Sequence, residues 1–401
     1  MRDDMTSALP LEGLRVLELG HIIAGPSAGL LLADLGSDVI KIERPDEGDQ
    51  SRGMPAGTSA NFHFLNRNKR SIAIDLKGSA EARALFLRLV AGSDVVIDNF
   101  AHGAVEALGL GYDVLARTNP GIIYLALKGF LPGPHETRPF LDELAQMSAG
   151  LAFMTGPRGQ PLRAGASIVD VGAAAYGVIA VLAALHQRAE TKRGQKITSG
   201  LFETTVFWVG QWLAQYAATG QPSVPMPEIR QGTRMGWGVY QLFTAADGEQ
   251  VFIGITSNGH WERFCAAFGL DDLLADPRLH DNAKRVAARD WLPGRIAEEM
   301  ARHSSALLSE RLEKARVPYA PLRRPDQLVD DPHLNASGQF MITPLPDRGP
   351  AKLPKLPVHS TAFEMGLRRP APRLGEHTRE VLAELGLDQD EIDALASRRV
   401  I

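Results

Sequence analysis

The sequence predicts an α/β protein: a mostly parallel sheet in the first part of the chain, then a second and smaller α+β domain. As far as Gly129, short β-branched runs alternate with longer helical patterns, which is typical of successive βαβ units. A proline-rich break, QPSVPMPEIRQGTRMGWG, begins at Gln221, and the pattern changes after it. With 401 residues, of which 44% are hydrophobic, the chain can bury the cores of two domains.

Five strands are predicted in the first part, and helical stretches separate them. The strand segments are LRVLELG, DVIKIER, SIAIDL, DVVIDNF and GIIYLALKG. The helical segments are LLLADLG, closed by Gly36, then SAEARALFLRLVAG and AVEALGLGYDVLART. The first strand, the turn HIIAGPSAG, the first helix and the second strand make one complete βαβ unit.

The run Val171–Leu185 is apolar almost all round and rich in alanine and glycine. It is shorter than the roughly 20 residues that a membrane span needs, so it predicts a helix in the interior or in a subunit interface. Further helices are predicted over Phe207–Gln221, over HWERFCAAFGL and as one or two amphipathic helices at the C-terminus. VYQLFTAADGEQVFIGI predicts a hairpin around Asp247-Gly248.

Composition excludes several classes of function. A net charge of −4 gives no overall attraction for nucleic acid or an anionic membrane, so we expect neither as a partner. The single cysteine, Cys265, excludes an intrachain disulfide framework and argues against a metal site. The segment MRDDMTSALP lacks the pattern of a secretory signal, which favours a cytoplasmic protein.

The first βαβ unit offers a strand, a glycine-bearing turn and a helix N-terminus, which together favour an anion. Its glycines, Gly20, Gly25 and Gly29, do not have the G-x-G-x-x-G spacing of a dinucleotide site. Glu43 stands where such a site would place the acid that binds a ribose. The alternative is that these glycines only allow the strand and helix to pack.

Basic residues provide a second candidate anion site. In NRNKRS, Arg67, Lys69 and Arg70 form either a solvated charged loop or part of an anion site. Arg44 and Lys128 end predicted strands, and ligands of α/β sheets bind outside the carboxyl ends of strands. With Lys77 they would suit a polyphosphate, although a lysine such as Lys128 can also simply reach water.

Asp170 is a lone acid between a strand-like approach, PLRAGASIV, and a run of small residues. One interpretation is that it caps the helix, because aspartate is a favoured N-cap residue. In the other, the helix dipole keeps its carboxylate ionised for nucleophilic attack. Attack on a thioester would give a mixed anhydride that retains acyl-transfer potential, and the apolar surroundings at Val169, Gly172 and Ala173 would keep out water.

These segments, in this order and over nearly the whole chain, resemble class III CoA-transferases such as formyl-CoA and carnitine CoA-transferases. The resemblance rests on LEGLRVLELGHIIAGPSAGLLLADLGSDVIKIERPDEGD, NRNKRSIAIDLK, SDVVIDNF, LGLGYDVL, NPGIIYLALKGF, PLRAGASIVDVG, RGQKI and PRLGEHTREVLAEL. It implies an open Rossmann-like large domain completed by the C-terminal segment, a smaller domain and an interlocked homodimer. The implied boundaries are 1–200 for the large domain, 201–225 for a connecting helix and linker, 226–330 for the small domain and 331–401 for the return segment.

The resemblance also implies the site residues. Asp170 would be the nucleophile that moves CoA from an acyl-CoA to a free carboxylic acid, with no cofactor beyond CoA itself and no metal. The residues implied to line the CoA site are Ile23, Ala24, Arg44, Ile74, Asp75, Leu76, Lys77, Asn99, Phe100, Ala101, Lys128, Gly129, Phe130 and Leu131.

Several positions depart from the family pattern. An arginine that follows the family's ENF motif is Ala107 here, and Thr198 replaces an acid. A tryptophan that gates the pocket of formyl-CoA transferase is matched by Met54. The covering loop reads IRQGTRMGWG, with Gly232, Gly236 and Gly238 spread between arginines. Oxalate is therefore not the expected acceptor.

Arg230 and Arg234 in this loop could hold a second carboxylate. We therefore expect a small dicarboxylic or hydroxydicarboxylic acid as acceptor, with succinyl-CoA as a candidate donor, although ordinary surface arginines remain an alternative. Two other functions stay open. An acyl-CoA racemase of the same superfamily would carry a histidine where Leu141 precedes Asp142, and a non-catalytic CoA-binding protein would use Asp170 only as a cap.

Overall fold

The computed structural model describes residues 8–53, 60–228, 236–346 and 349–401. The chain divides into two compact units. The first takes in the chain up to Ala152 together with Arg163–Ala218 and His333–Ile401, and the second contains Phe153–Leu162 and Thr219–Pro332.

Six parallel strands form the sheet of the first unit, in the order β3-β2-β1-β4-β5-β6. They are β1 (Arg15–Glu18), β2 (Asp38–Glu43), β3 (Lys69–Ala73), β4 (Val95–Asp98), β5 (Ile123–Lys128) and β6 (Gln195–Gly200). The predicted α/β class and its first five strands are confirmed. Strand β6 was not predicted. Its sequence, QKITSG, has no apolar run, because β6 is an outer strand of the sheet and is only partly buried.

Ten helices accompany these strands in the described part of the chain up to Thr219. They are α1 (Ala24–Asp34), α2 (Ala60–Leu65), α3 (Ala80–Ala91), α4 (Ala104–Ala107), α5 (Tyr112–Thr118), α6 (Asp142–Ser148), α7 (Leu151–Thr155), α8 (Ile168–Thr191), α9 (Leu201–Trp208) and α10 (Gly210–Thr219). The single helix predicted over AVEALGLGYDVLART is wrong. It is two short helices, because Gly109 between them has φ +73°, which ends a right-handed helix.

Helix α8 is the central helix of this unit, and it is longer than its apolar run suggested. It has 24 residues and is long and apolar enough to cross a membrane by length and composition. In the structure one side of it packs with α1 against the sheet, through small residues such as Ala173, Ala174 and Ala184. Its opposite side carries the exposed Val171, Ile179 and part of Tyr176. The prediction of a buried helix therefore holds for one face only.

The second unit is built on a three-stranded antiparallel sheet of β7 (Val239–Thr244), β8 (Gln250–Ile255) and β9 (Tyr319–Pro321). The hairpin predicted around Asp247-Gly248 is confirmed, with φ +81° at Gly248. Its helices are α11 (Asn258–Phe268), α12 (Asp271–Ala275), α13 (Asn282–Ala287), α14 (Leu292–Met300) and α15 (Ser305–Lys314). Trp261, Phe264 and Cys265 lie in its core.

The C-terminal segment returns to the first unit. It contains α16 (Pro332–Ala336), the hairpin of β10 (Phe340–Leu345) and β11 (Gly349–Pro354), α17 (Thr378–Glu384) and α18 (Gln389–Ser397). The apolar sides of α17 and α18 join α3 in the core on the other face of the sheet. Arg70 fixes α17 through Glu380 and Glu384 at 2.9 and 2.6 Å. The sequence predicted one or two amphipathic helices here, and the structure has two.

Candidate active site

Asp170 lies in the first turn of α8 but does not cap it. The N-cap residue is Ser167, and Asp170 is the third residue of the helix. The interpretation of Asp170 as an N-cap is therefore wrong. Among the described residues no group donates a hydrogen bond to the Asp170 carboxylate, so this carboxylate is available for another role.

Asp142 performs the capping from another segment. Its Oδ2 atom accepts hydrogen bonds from the backbone N–H groups of Val169 and Asp170, at 2.8 and 3.1 Å. These are two of the N–H groups that a helix start leaves without partners. Gln146 donates to the Asp142 Oδ1 atom at 2.6 Å and accepts from the N–H of Ala164 at 2.8 Å. One carboxylate on α6 therefore fixes the start of α8.

The pKa of Asp170 is raised to about 7, first by burial and second by the nearby charge of Asp142. This corrects the expectation that the helix dipole keeps the carboxylate ionised, because desolvation opposes the charged form. Near neutral pH the carboxylate exchanges between its two protonation states. Such a value is common for groups that react in a protein site.

The surroundings of Asp170 are small and apolar, as the sequence predicted. Val169 and Ala173 are fully buried. A side chain at Gly172 would overlap the ring of Trp208, whose indole N–H donates to the Tyr176 hydroxyl at 3.0 Å. Glycine at 172 therefore lets the Trp208 ring pack against the first turns of α8.

The parallel sheet brings the other predicted residues to one edge. Each segment lies at the end of a strand or in the turn after it, and the carboxyl ends of parallel strands share an edge. Helix α8 leads into β6, so it runs against the strands and its first turn also lies on that side. The segments that meet there are Ile23 and Ala24 after β1, Arg44 after β2, Ile74–Lys77 after β3, Asn99–Ala101 after β4 and Lys128–Leu131 at the end of β5.

The polar side chains at this edge differ in how firmly other groups hold them. The Lys128 ammonium group donates to the buried Asp98 carboxylate and, at 2.8 Å, to the Phe100 carbonyl. Asn99 holds both backbone groups of His21, at 3.0 and 2.9 Å. Arg44 is exposed and pairs with the equally exposed Glu47. Lys77 is also exposed. Arg44 and Lys77 can therefore move toward a polyphosphate, whereas Lys128 is fixed.

The apolar residues predicted to line the CoA site contribute mainly to the core. Ile74 and Leu76 are buried in the cluster shared with α3. Phe130 packs against Phe140 and Phe202. Their side chains therefore leave little surface for a ligand at the edge of the sheet.

The basic cluster in NRNKRS is neither solvated nor open to an anion. Arg67 pairs with the buried Asp34 at 2.6 Å, and Lys69 pairs with the buried Glu18 at 2.6 Å. Arg70 binds Asp38 in addition to α17. Both interpretations of this cluster are wrong, because these side chains turn inward and pair with carboxylates of neighbouring elements.

Two features of the first βαβ unit also serve packing. Glu43 is buried and accepts hydrogen bonds from Arg52, Ser71 and the N–H of Asp49, so it cannot hold a ribose. A side chain at Gly29 would overlap the Glu18 carboxylate, and one at Gly25 would meet the backbone of Gly20. The packing interpretation of these glycines is the one that the structure supports.

The predicted substrate residues lie mostly beyond what the structure describes. Met54, Arg230, Gly232 and Arg234 fall outside the described residues. Gly236 belongs to the second unit, has φ +86° and accepts a hydrogen bond from Asn282 at 3.0 Å.

Sequence reasoning missed three acids of this edge: Asp142, Asp98 and Asp49. A signal existed for Asp98, which ends a buried strand where its side chain meets the next strand end. Asp142 is the first residue of a helix and Asp49 lies in a turn, and neither position distinguishes them from surface acids. Their roles depend on which distant segments pack against them.

Comparisons with known proteins agree with this geometry. The family model described as CoA-transferase family III matches residues 11–378. The chain is 32% identical to succinyl-CoA--D-citramalate CoA-transferase of Chloroflexus aurantiacus, over 98% of both chains. It is 35% identical to succinyl-CoA:mesaconate CoA-transferase of Haloarcula hispanica, over 94% of this chain and 96% of the other.

A solved structure shows the same fold. The CAIB/BAIF family protein from Brucella suis aligns with a TM-score of 0.84 and 33% identity, covering 94% of this chain and all of the other. Sequence, sheet order and site geometry thus lead to one conclusion: the chain is a CoA-transferase and belongs to CoA-transferase family III.

Proposed function

We propose that this enzyme moves CoA from succinyl-CoA to a small dicarboxylic acid through covalent intermediates on Asp170. The observation that carries this proposal is a half-buried carboxylate in the first turn of α8 that accepts no hydrogen bond from the described residues. Within the described part of the chain, the lone pairs that attack would use have no hydrogen-bond donor. The two relatives named above both take succinyl-CoA and a dicarboxylic acid, according to their names.

The proposed reaction has four steps. The Asp170 carboxylate attacks the thioester carbonyl, the C–S bond breaks, and CoA thiolate leaves a mixed anhydride. The thiolate then attacks the aspartyl carbonyl, which releases succinate and leaves Asp170 as a CoA thioester. The acceptor carboxylate attacks this thioester and releases the thiolate. Finally the thiolate attacks the acceptor's acyl carbonyl, which forms the new acyl-CoA and restores Asp170. Charge balances throughout, and no net proton is taken up.

The surroundings of Asp170 suit these reaction steps. A poorly hydrated carboxylate loses little solvation when it attacks, and both covalent intermediates hydrolyse if water reaches them. The reactive form is the ionised one, so activity should rise with pH through the pKa of about 7. Asp142 holds the first turn of α8 in place while Asp170 changes from carboxylate to anhydride to thioester.

CoA would lie along the carboxyl edge of the sheet. Arg44 and Lys77 would meet its phosphates, and the fixed Lys128 would provide a positive charge at a set place. An acyl-CoA racemase is disfavoured, because Leu141 is an exposed apolar side chain that can neither accept nor donate a proton.

Trapping tests the covalent mechanism. The enzyme is incubated with succinyl-CoA and hydroxylamine, digested and analysed by mass spectrometry. We expect a hydroxamate at Asp170, since hydroxylamine attacks both the anhydride and the thioester. Transfer to mesaconate, citramalate and glutarate is followed in parallel by mass spectrometry of the new thioesters. Robust transfer without modification of Asp170, or modification at another acid, would contradict the proposal.

Arg230 and Arg234 are expected to select the dicarboxylic acid. A charge-assisted hydrogen bond to the distal carboxylate contributes roughly 1.5–3 kcal/mol, or about 10- to 150-fold in kcat/KM. In Arg230→Met or Arg234→Met, kcat/KM for succinate as acceptor should fall by such a factor, while that for butyrate should hold. Equal losses for both acids would mean that the arginines act on the loop or on CoA.

A homodimer in the cytoplasm is part of the proposal. Large apolar side chains remain exposed on three helices of the single chain, which favours a protein partner. They are Val171 and Ile179 on α8, Phe207 on α9, and Leu213 and Tyr216 on α10. Light scattering of the purified enzyme would show twice the mass of one chain if a second copy covers this surface.

A further inference from the structure

The turn between β1 and α1 contains a strained residue. Ile22 has φ +66°, and among the described non-glycine residues with positive φ it alone is β-branched. Such a side chain strongly disfavours the left-handed region, so surrounding groups must hold it there. Directly after it come Ile23 and Ala24, where α1 begins.

Side chains from three other segments hold this turn. Both carboxylate oxygens of Asp49 accept from the N–H of Ile22, at 3.1 and 3.3 Å. Asn99 binds the N–H and carbonyl groups of His21. Lys41 donates to the carbonyl of Gly20 at 2.6 Å. Three consecutive residues therefore take their hydrogen bonds from outside the turn.

Asp49 is itself fixed. It is 3% exposed, its carboxylate lies 2.8 Å from the Lys41 ammonium group, and Ser51 donates to it through both its N–H and its hydroxyl group. Burial alone would raise the pKa of Asp49, but Lys41 and these hydrogen bonds hold it well below its usual value. Asp49 is consequently a rigid, permanently charged acceptor.

The turn determines what the first residues of α1 present to a ligand. Within the described part of the chain, the N–H groups of Ile23, Ala24 and Gly25 form no hydrogen bond. They lie at the edge where the acyl-CoA would bind. If Ile22 relaxed to a negative φ, the backbone after it would turn and these N–H groups would point elsewhere.

We propose that Asp49 is a positioning residue for the transfer reaction: it holds Ile22 in the left-handed conformation and thereby orients the start of α1 toward the acyl-CoA. This inference rests on the proposed function, since it takes the acyl-CoA to lie at this edge. Asp49 does not touch the substrate itself and acts through the backbone of Ile22.

The test combines Asp49→Asn with Ile22→Gly. The single variant Asp49→Asn should raise the KM for succinyl-CoA by about tenfold with a smaller change in kcat, because binding of the thioester loses its orienting turn. Glycine adopts positive φ without strain. Adding Ile22→Gly to Asp49→Asn should therefore lower the KM most of the way back to the wild-type value, while Ile22→Gly alone should change the KM little.

The matched control is Asp46→Asn. Asp46 lies in the same segment, is exposed and makes no hydrogen bond or ion pair with the described residues. The KM of the Asp46→Asn variant for succinyl-CoA should therefore equal that of the wild type. If Asp49→Asn does not fold, Asp49→Glu replaces it, since glutamate keeps a charge for Lys41 but moves the carboxylate away from Ile22.

Two results would overturn the inference. One is an unchanged KM in the Asp49 variant. The other is a raised KM that Ile22→Gly does not lower, which would mean that Asp49 only balances the charge of Lys41. Failure of the proposed function would appear differently, as absence of the hydroxamate at Asp170 in the wild-type enzyme.

Discussion

Replacing Asp170 by asparagine is expected to abolish CoA transfer, with kcat falling by roughly 10⁴-fold or more, as for the loss of other catalytic nucleophiles. The amide has the size of the carboxylate but cannot form the mixed anhydride. The fold should persist, because Ser167 is the N-cap residue, Asp142 supplies the capping hydrogen bonds, and the Asp170 carboxylate accepts none from the described residues. Steady-state transfer from succinyl-CoA and a circular dichroism spectrum measure the two properties.

The same variant should also be more stable than the wild type above neutral pH. In the folded enzyme the pKa of Asp170 is raised to about 7, compared with roughly 4 in an unfolded chain. The folded state therefore binds this proton more tightly than the unfolded chain does. As a result, the free energy of unfolding decreases as pH rises from about 4 to about 7. Asp170→Asn avoids this loss, so its Tm should exceed that of the wild type at pH 8 and approach it at pH 4.

Glu143→Gln is the matched control for Asp170→Asn. Glu143 is an exposed acid next to Asp142 and pairs with Arg163 at 3.3 Å. Such surface pairs contribute little, so this variant should keep both wild-type activity and wild-type Tm. Substantial transfer by Asp170→Asn would refute the nucleophile assignment, whereas a Tm below that of the wild type at pH 8 would refute the raised pKa.

Replacing Asp142 is expected to have the second large effect. Asp142→Ala should lower the free energy of unfolding by roughly 1–3 kcal/mol, because the N–H groups of Val169 and Asp170 lose their acceptor. Asp142→Asn keeps an acceptor oxygen but removes the negative charge that helps to raise the pKa of Asp170. In that variant the acid limb of the kcat/KM profile should move to lower pH.

The pH profile separates the two roles of Asp142. A variant that merely loosened α8 would lower kcat/KM at every pH without moving the limb. If Asp142→Asn leaves the limb at the wild-type pH, the charge of Asp142 has no part in setting the state of Asp170. Thermal melts of Asp142→Ala and Asp142→Asn, measured at the same pH, give the capping contribution independently.

Much of the fold could be predicted because it depends on local pattern. The first five strands of the large sheet contain short runs of β-branched and other apolar residues, and the hairpin at Asp247-Gly248 has turn residues that determine its geometry. Successive βαβ connections make the strands parallel, so the sequence also predicted that Arg44 and Lys128 would lie at the carboxyl edge. The residue at the centre of the proposed chemistry, Asp170, was recognised by its setting among small residues.

The wrong predictions concern charge, which is not a local property. The sequence favoured a solvated loop for Lys69 and Arg67. In the structure Lys69 is buried against a carboxylate of β1, and Arg67 is buried against a carboxylate of α1. The sequence predicted an Asp170 kept ionised by the helix dipole, whereas burial and Asp142, 28 residues away along the chain, raise its pKa. The sequence alone singled out Asp170 as the candidate nucleophile. Its protonation state and its freedom from capping were decided by tertiary structure, because desolvation and Coulomb interactions depend on distances between segments that are remote in the chain.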